Sequence, residues 1–362
     1  MEKQNYKVKE NSEDYPDQAE SSVDDEERLN QIKITPVVEN PQNQVNRNVI
    51  GDSVTLLAVK NPTSFMIATF GKGLQVFENN KLIFSAKFFF YRTKLKDLVY
   101  IDHLNCYFLH RGGKFYRKDV DNHPPYFYIH LVSEGKFGSC LKYSAINRRL
   151  ITAKDKNSIA VLNLERKELE IEVKTNFGGK LMDFALLRKK ETGVISLSED
   201  GYLNLSFINY SMKKICATNH TKIELKEERG ERGFSIAASP NNDYALVEIG
   251  SDYYGYNSRI MVFKIIHNHL IEAASIDVYN QLLKQMSAMR CWGCIGVHII
   301  WVGVSLAEIF LYDFNTETYA VRELRDQRVN HNQFNPRKID RLSNHFFLIG
   351  QEAKVKTFRI KF

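Results

Sequence analysis

Cys291-Trp292-Gly293-Cys294 is the pattern in this chain closest to a reactive or metal-holding motif. Zinc asks for four ligands on a tetrahedron, commonly from two such pairs. Cys106, Cys140 and Cys216 form no second pair at that spacing. The stretch around Cys291 reads as strand, and on a strand residues three apart face opposite sides. The two thiols are therefore expected to be packing groups, as buried cysteines ordinarily are. Gly303-Val304-Ser305-Leu306-Ala307 approaches the nucleophile elbow, which requires a strand, a sharp turn and then a helix. Another strand-like run, Ile309–Phe314, follows almost at once, so an ordinary hairpin serine is expected. Glu199-Asp200 and Glu227-Glu228 are paired carboxylates in turns, where solvated charge is the simpler reading. The ten histidines are dispersed, and no phosphate loop, dinucleotide fingerprint, H-E-x-x-H or calcium-loop spacing occurs. These residues propose no reaction, no cofactor and no metal, and the chain is expected not to be an enzyme.

The five cysteines are odd in number and mostly scattered, which suits a reducing compartment better than a disulfide framework. Residues 1–29 hold no apolar run, so no export signal is read there. A cytoplasmic, or else nuclear, location is expected. Asn204, Asn209 and Asn219 each open an N-x-[ST] triplet, which without export is incidental. Residues 291–312 are almost wholly apolar and long enough for a membrane span. They carry His298 and Glu308 and are interrupted by Gly293, Gly296 and Gly303, so two buried strands are expected instead and no transmembrane segment.

Charge is unevenly placed. Residues 1–29 hold ten acids against four bases, a net −6; the whole chain is +7, so residues 30–362 carry +13. The tail also lacks aromatic and β-branched density and is expected to be disordered. It reads either as a solubilising extension or as a competitor for the body's basic face, displaced by an acidic partner.

The elements that must position everything else come from a repeat. A pentad of the form apolar–any–apolar–aromatic–polar returns seven times. Leu74-Gln75-Val76-Phe77-Glu78 and Ile309-Phe310-Leu311-Tyr312-Asp313 have it in full. Ile260–Lys264 and Val355–Arg359 are close variants, and Gly113–Arg117, Ile159–Asn163 and Leu203–Phe207 are looser ones. The interval is roughly 40–55 residues, the period of a propeller blade. The expected fold is all-β: a seven-bladed β-propeller of four-stranded antiparallel blades over residues 30–362, as one domain. The last blade supplies only three strands before the chain ends. Gln31–Val38 can supply the fourth, because Ile32 and Ile34 alternate with Lys33 and Thr35 and Pro36 suits an edge strand. Closure by this N-terminal strand is expected, and deletion of residues 30–39 should unfold the protein where deletion of residues 1–28 should not.

On these residues the chain resembles the WD40-repeat propellers, in a degenerate form. Tyr312-Asp313 stands where that family places Trp-Asp at the end of the third strand. Ser239–Leu246 resembles the family's turn between first and second strands, and Ser198-Glu199-Asp200-Gly201 the turn between second and third. Gly-His dipeptides are absent and the Trp position is mostly Phe, Tyr or Leu, so the blade cores are expected to rest on packing rather than on the family's buried hydrogen-bond networks. Phosphoinositide-binding propellers carry F/L-R-R-G; the nearest strings here, His110-Arg111-Gly112-Gly113 and Glu228-Arg229-Gly230, lack the adjacent arginines.

The resemblance implies that turns between second and third strands share a rim with the inter-blade connections. On the first three blades and the last, that rim would carry Lys72, Arg92, Lys94, Arg111, Lys114, Lys154, Lys156 and Lys354, with Arg328, Arg337 and Lys338 in connections. Blades four and five would offer Glu199, Asp200, Tyr253, Tyr254 and Tyr256 instead. Solvated turns are Lys-rich in any case. The functional reading is a scaffold that docks other proteins with acidic surfaces in a larger assembly, the bases steering and the tyrosines anchoring. The alternative is a propeller binding nucleic acid or an anionic membrane through its basic face. Few exposed stacking aromatics accompany the bases, so nucleic acid is not favoured. Phe88-Phe89-Phe90-Tyr91 is a further candidate contact or a piece of core.

Overall fold

Runs of Val, Ile, Leu, Phe and Tyr broken by Asn, Asp, Gly and Lys turns give short antiparallel strands, and strand dominates the molecule. The computed structural model describes Leu29 and residues 31–36, 54–61, 63–69, 73–86, 95–111, 114–120, 127–129, 137–174, 179–187, 192–239, 242–251, 259–277, 291–295, 299–304, 308–313, 318–323, 338–343, 346–351 and 354–361. The acidic segment 1–28 and Phe88–Tyr91 lie outside the described residues.

After β1 (Lys33–Pro36) come seven sheets. Sheet one is β2 (Val54–Asn61), β3 (Ser64–Thr69), β4 (Gly73–Glu78) and β5 (Lys81–Ala86). Sheet two is β6 (Leu95–Ile101), β7 (Cys106–Arg111), β8 (Lys114–Asp119) and β9 (Phe127–Ile129). Sheet three is β10 (Phe137–Ser144), β11 (Arg149–Lys154), β12 (Ser158–Asn163) and β13 (Glu168–Lys174). Sheet four is β14 (Leu181–Leu187), β15 (Thr192–Ser198), β16 (Tyr202–Asn209) and β17 (Lys214–Lys222). Sheet five is β18 (Glu231–Ala238), β19 (Tyr244–Ser251), β20 (Arg259–Ile266) and β21 (His269–Asp277). Sheet six is β22 (Cys291–Ile295), β23 (Ile299–Val304), β24 (Glu308–Asp313) and β25 (Thr318–Glu323). Sheet seven takes β26 (Lys338–Ser343), β27 (Phe346–Gln351) and β28 (Lys354–Lys361) and is completed by β1, which pairs antiparallel with β28 from Lys33↔Lys361 to Pro36↔Phe358. Every copy of the pentad, taken as Lys114–Arg117 in sheet two, falls on the third strand of its sheet in chain order, counting β28 as third in sheet seven.

The alternation of side chains explains why these sheets stack. In sheet three, Leu150, Ala160 and Leu162 pack with Ile101, Phe108 and Phe115 of sheet two. Their neighbours Ile151, Ala153, Ile159 and Val161 point the other way and pack with Phe184, Val194 and Ile208 of sheet four. Strands buried on both faces must be apolar on both, which is why β3, β12 and β15 are buried along their whole length. A further cluster joins sheets one and two through Met66, Val76, Tyr107 and Leu109, and another joins sheets four and five through Leu197, Leu205, Ile236 and Val247. The first strands of successive sheets are neighbours: β2 lies against β6 and β26, β6 against β10, β10 against β14, β14 against β18, and β22 against β26.

In a meander of this kind the second and third strands join at one end of the sheet, here the near end. The other two turns lie at the far end.

Candidate interaction surface

At the near end, backbone groups tie the turns of sheets three and four to the sheet that follows. The Leu181 N–H donates to the Lys156 carbonyl (2.9 Å), and the Gly233 N–H donates to the Glu199 carbonyl (3.0 Å). Sheets three, four and five therefore present their near ends side by side. Gly233 is required by this approach, since a Cβ there would collide with the Ser198 carbonyl oxygen. The turn Ser198–Gly201 is held from within: Ser198 Oγ donates to Asp200 and accepts the Tyr202 N–H, while Gly201 takes a φ of +83°.

Two aspartates fasten the sheets more deeply. The Asp97 carboxylate accepts the N–H of Leu98 on one oxygen (2.9 Å) and the N–H of Leu141, across in sheet three, on the other (2.9 Å). Asp183 repeats this, accepting the N–H of Phe184 (2.8 Å) and of Ile236 in sheet five (3.2 Å). Both sit at irregularities of a first strand, between Leu95 and Asp97 and between Leu181 and Asp183. A bulge re-aims a side chain out of the ladder. The signal was present in the sequence as Lys94-Leu95-Lys96-Asp97-Leu98 and Lys180-Leu181-Met182-Asp183-Phe184.

The segment entering sheet five is rooted by a buried ion pair. Glu231 Oε2 accepts from Arg259 Nη2 (2.8 Å) and from the Lys226 N–H (2.9 Å), and Arg259 also donates to the Glu224 carbonyl (2.7 Å). This holds the 3-10 turn Glu227–Arg229 in place, with Glu227 and Glu228 exposed. Arg232 stands 3.5 Å from Glu199.

The sequence-level surface residues distribute as follows. Lys114 opens β8 opposite Arg111, which closes β7, and Lys114 is exposed. Lys156 is exposed in the turn between β11 and β12, beside exposed Asp155, and exposed Lys180 precedes β14. Lys154 belongs to the interior instead: it is 6% exposed and its ammonium lies 2.5 Å from Glu172. Lys354 opens β28. Lys72 lies between β3 and β4, and Tyr253, Tyr254 and Tyr256 between β19 and β20, outside the described residues, as do Arg92, Lys94, Arg328 and Arg337. Across sheets two to five, Lys114, Lys156 and Lys180 are exposed bases, while the acids Glu199, Glu224, Glu227 and Glu228 stand among the bases Lys222, Lys226, Arg229 and Arg232.

The candidate chemistry resolves on strand placement. Cys291 and Cys294 both lie on β22, paired with Gly303 and Ile300. Gly303 and Val304 end β23 and Glu308 opens β24, so the elbow-like sequence joins two strands and no helix follows it. Burial pushes the Cys106 thiol up to about 12 and the Cys140 thiol also well up, so neither is a thiolate at neutral pH. Among the described residues no group of three or more His, Cys, Asp or Glu is placed to hold a metal ion. Nor is any helix among them long and apolar enough to cross a membrane. Tyr312 and Asp313 end β24 and are buried. Comparison with known proteins finds no matching family model and no matching curated relative.

Proposed function

We propose that this chain is a seven-bladed, WD40-like β-propeller acting as a non-enzymatic scaffold, which docks protein partners on the near end of its sheets. The supports for the propeller are the succession of four-stranded sheets, their neighbouring first strands, and the completion of sheet seven by β1. The observation that carries the docking reading is the exposed basic group Lys114, Lys156 and Lys180 at the near end of sheets two to four, beyond which Glu199, Glu224, Glu227 and Glu228 stand among the bases Lys222, Lys226 and Arg229. Lys156 and Glu199 stand on turns tied to the next sheet, so this part of the pattern is preorganised rather than assembled on contact. An acidic protein surface fits the basic group, in the cytoplasm or the nucleus. Charge of this kind steers encounter and fixes orientation more than it adds affinity.

The test is capture of native partners by the full chain against a variant with Lys72, Arg111, Lys114 and Lys156 all changed to Glu. Partners recovered by the parent should be lost by the variant, and recovery should weaken with salt. Equal recovery by both overturns the reading.

A further inference from the structure

The far end of sheets three to five carries a different chemistry. Apolar side chains normally retreat from hairpin tips, yet here they stand in solvent. Ile146 is 57% exposed in the turn between β10 and β11, Met212 is 64% exposed between β16 and β17, and Ile266 is 41% exposed at the end of β20. Ile271, on the adjoining edge strand β21, is exposed as well. The first two tips are locked side by side. Thr192 Oγ1, at the start of β15, takes a hydrogen bond from Asn147 Nδ2 and shares another with Tyr210 at 3.0 Å. Asn147 follows Ile146, and Tyr210 precedes Met212 by one turn residue. Arg149 adds a cation–π contact to the Tyr210 ring at 5.9 Å.

Two of these tips are flanked by exposed cations, Arg148 two residues after Ile146 and Lys213 and Lys214 after Met212, and the turn between β12 and β13 adds Arg166 and Lys167. Arg148, Lys167 and Lys213 occupy left-handed backbone positions, with φ of 52°, 56° and 49°. Gly or Asn would sit there with less strain, so the fold alone does not call for these side chains. Among the described residues the acids of this end are Glu165, Glu168, Glu170, Asp243 and Glu272; Glu168 is occupied by Arg166 at 3.6 Å and Glu170 by Arg149 at 2.5 Å.

We propose that this far end is a membrane-docking face, seating Ile146, Met212 and Ile266 in the interfacial layer of an anionic bilayer. Bases on Arg148, Arg166, Lys167, Lys213 and Lys214 would meet the headgroups. Shallow aliphatic insertion backed by electrostatic attraction is the chemistry of interfacial binding. A protein partner would instead meet a contiguous apolar centre with a polar rim, whereas here cations separate the apolar tips. Nucleic acid would ask for stacking rings, and the strongly exposed apolar residues of these tips are all aliphatic among the described residues.

The experiment is co-sedimentation of the full chain with phosphatidylcholine vesicles, with and without phosphatidylserine. Binding is expected only with phosphatidylserine, falling as salt rises. Met212→Asp and the pair Lys213→Glu, Lys214→Glu should each weaken partition by about tenfold, and Met212→Trp should strengthen it. Lys156→Glu, at the near end, should leave it unchanged. Absence of binding to anionic vesicles, binding indifferent to Met212→Asp and Met212→Trp, or a salt-sensitive affinity for RNA without vesicle binding would each overturn the proposal.

Discussion

Ile32 offers the sharpest test of how the chain's two ends are joined. It is 2% exposed, as is Leu29, and it precedes the short edge strand β1. The Ile32 N–H reaches the Leu29 carbonyl at 3.4 Å, and the same carbonyl accepts from Arg322 Nη2, on β25 of sheet six, at 2.9 Å. The turn before β1 thus touches one sheet while β1 completes the next. Ile32→Ala removes buried methyl and methylene groups and should cost about 2–5 kcal/mol. That is a large part of a typical total of about 5–15 kcal/mol. Removing residues 1–36 takes away Leu29 and Ile32 together, about 1.5–3 kcal/mol of burial each. It also strips the ladder bonds to β28, about 0.5–1.5 kcal/mol apiece. Urea unfolding followed by circular dichroism measures the series. The chain lacking residues 1–28 should unfold at the midpoint of the full chain, Ile32→Ala lower, and the chain lacking residues 1–36 lower still or not fold. Equal midpoints for the two truncations would refute the reasoning, because sheet seven would then hold without β1.

Asp97→Ala and Asp183→Ala should each cost about 1–3 kcal/mol, since each leaves two backbone N–H groups without their acceptor. Hydrogen exchange should speed at the Leu141 amide in the first and at the Ile236 amide in the second; exchange unchanged at both would count against the cross-sheet fastening. His103, whose ring lies 5.6 Å from that of Tyr143 and is hydrogen-bonded to its hydroxyl, is held below its usual 6.5 chiefly by burial, with Asp102 at 4.0 Å pulling the other way. The fold thus favours the neutral ring, so this contribution is full above pH 6.5 and is lost as pH falls through 6.5 toward the lower folded value. His103→Phe keeps the stack and should remove that loss; superimposable pH profiles of the urea midpoint for parent and variant would contradict it.

Much of the fold was legible because a strand's period is simple and the pentad repeats it. The aromatic or Leu at the fourth pentad position marked the third strand in six of the sheets, Phe207 at the fifth position marked it in sheet four, and Pro36 marked an edge. Other features depend on packing between sheets, which a single strand's pattern does not encode. Asp is a poor strand former; the value of Asp97 and Asp183 lies in N–H groups belonging to other sheets. Lys154 read as a turn base, but it ends β11 opposite Ser158, and its chain reaches Glu172 on β13. Nothing in the strand pattern sets Ile146 and Met212 apart; their exposure on turns beside Thr192 belongs to the folded arrangement.

The pairing of β1 with β28 separates partners by most of the polypeptide. During synthesis β1 leaves the ribosome early, while β28 follows roughly 300 residues later. At about 5–20 residues per second, β1 spends roughly 15–60 s as an unmatched strand. Sheets one to five can bury their cores on one another in that interval, but sheet seven cannot be completed. A nascent chain therefore passes through a long stage with a bare edge exposed at its tail end, which is the stage at which chaperones would be needed and at which mispairing between neighbouring nascent chains would begin.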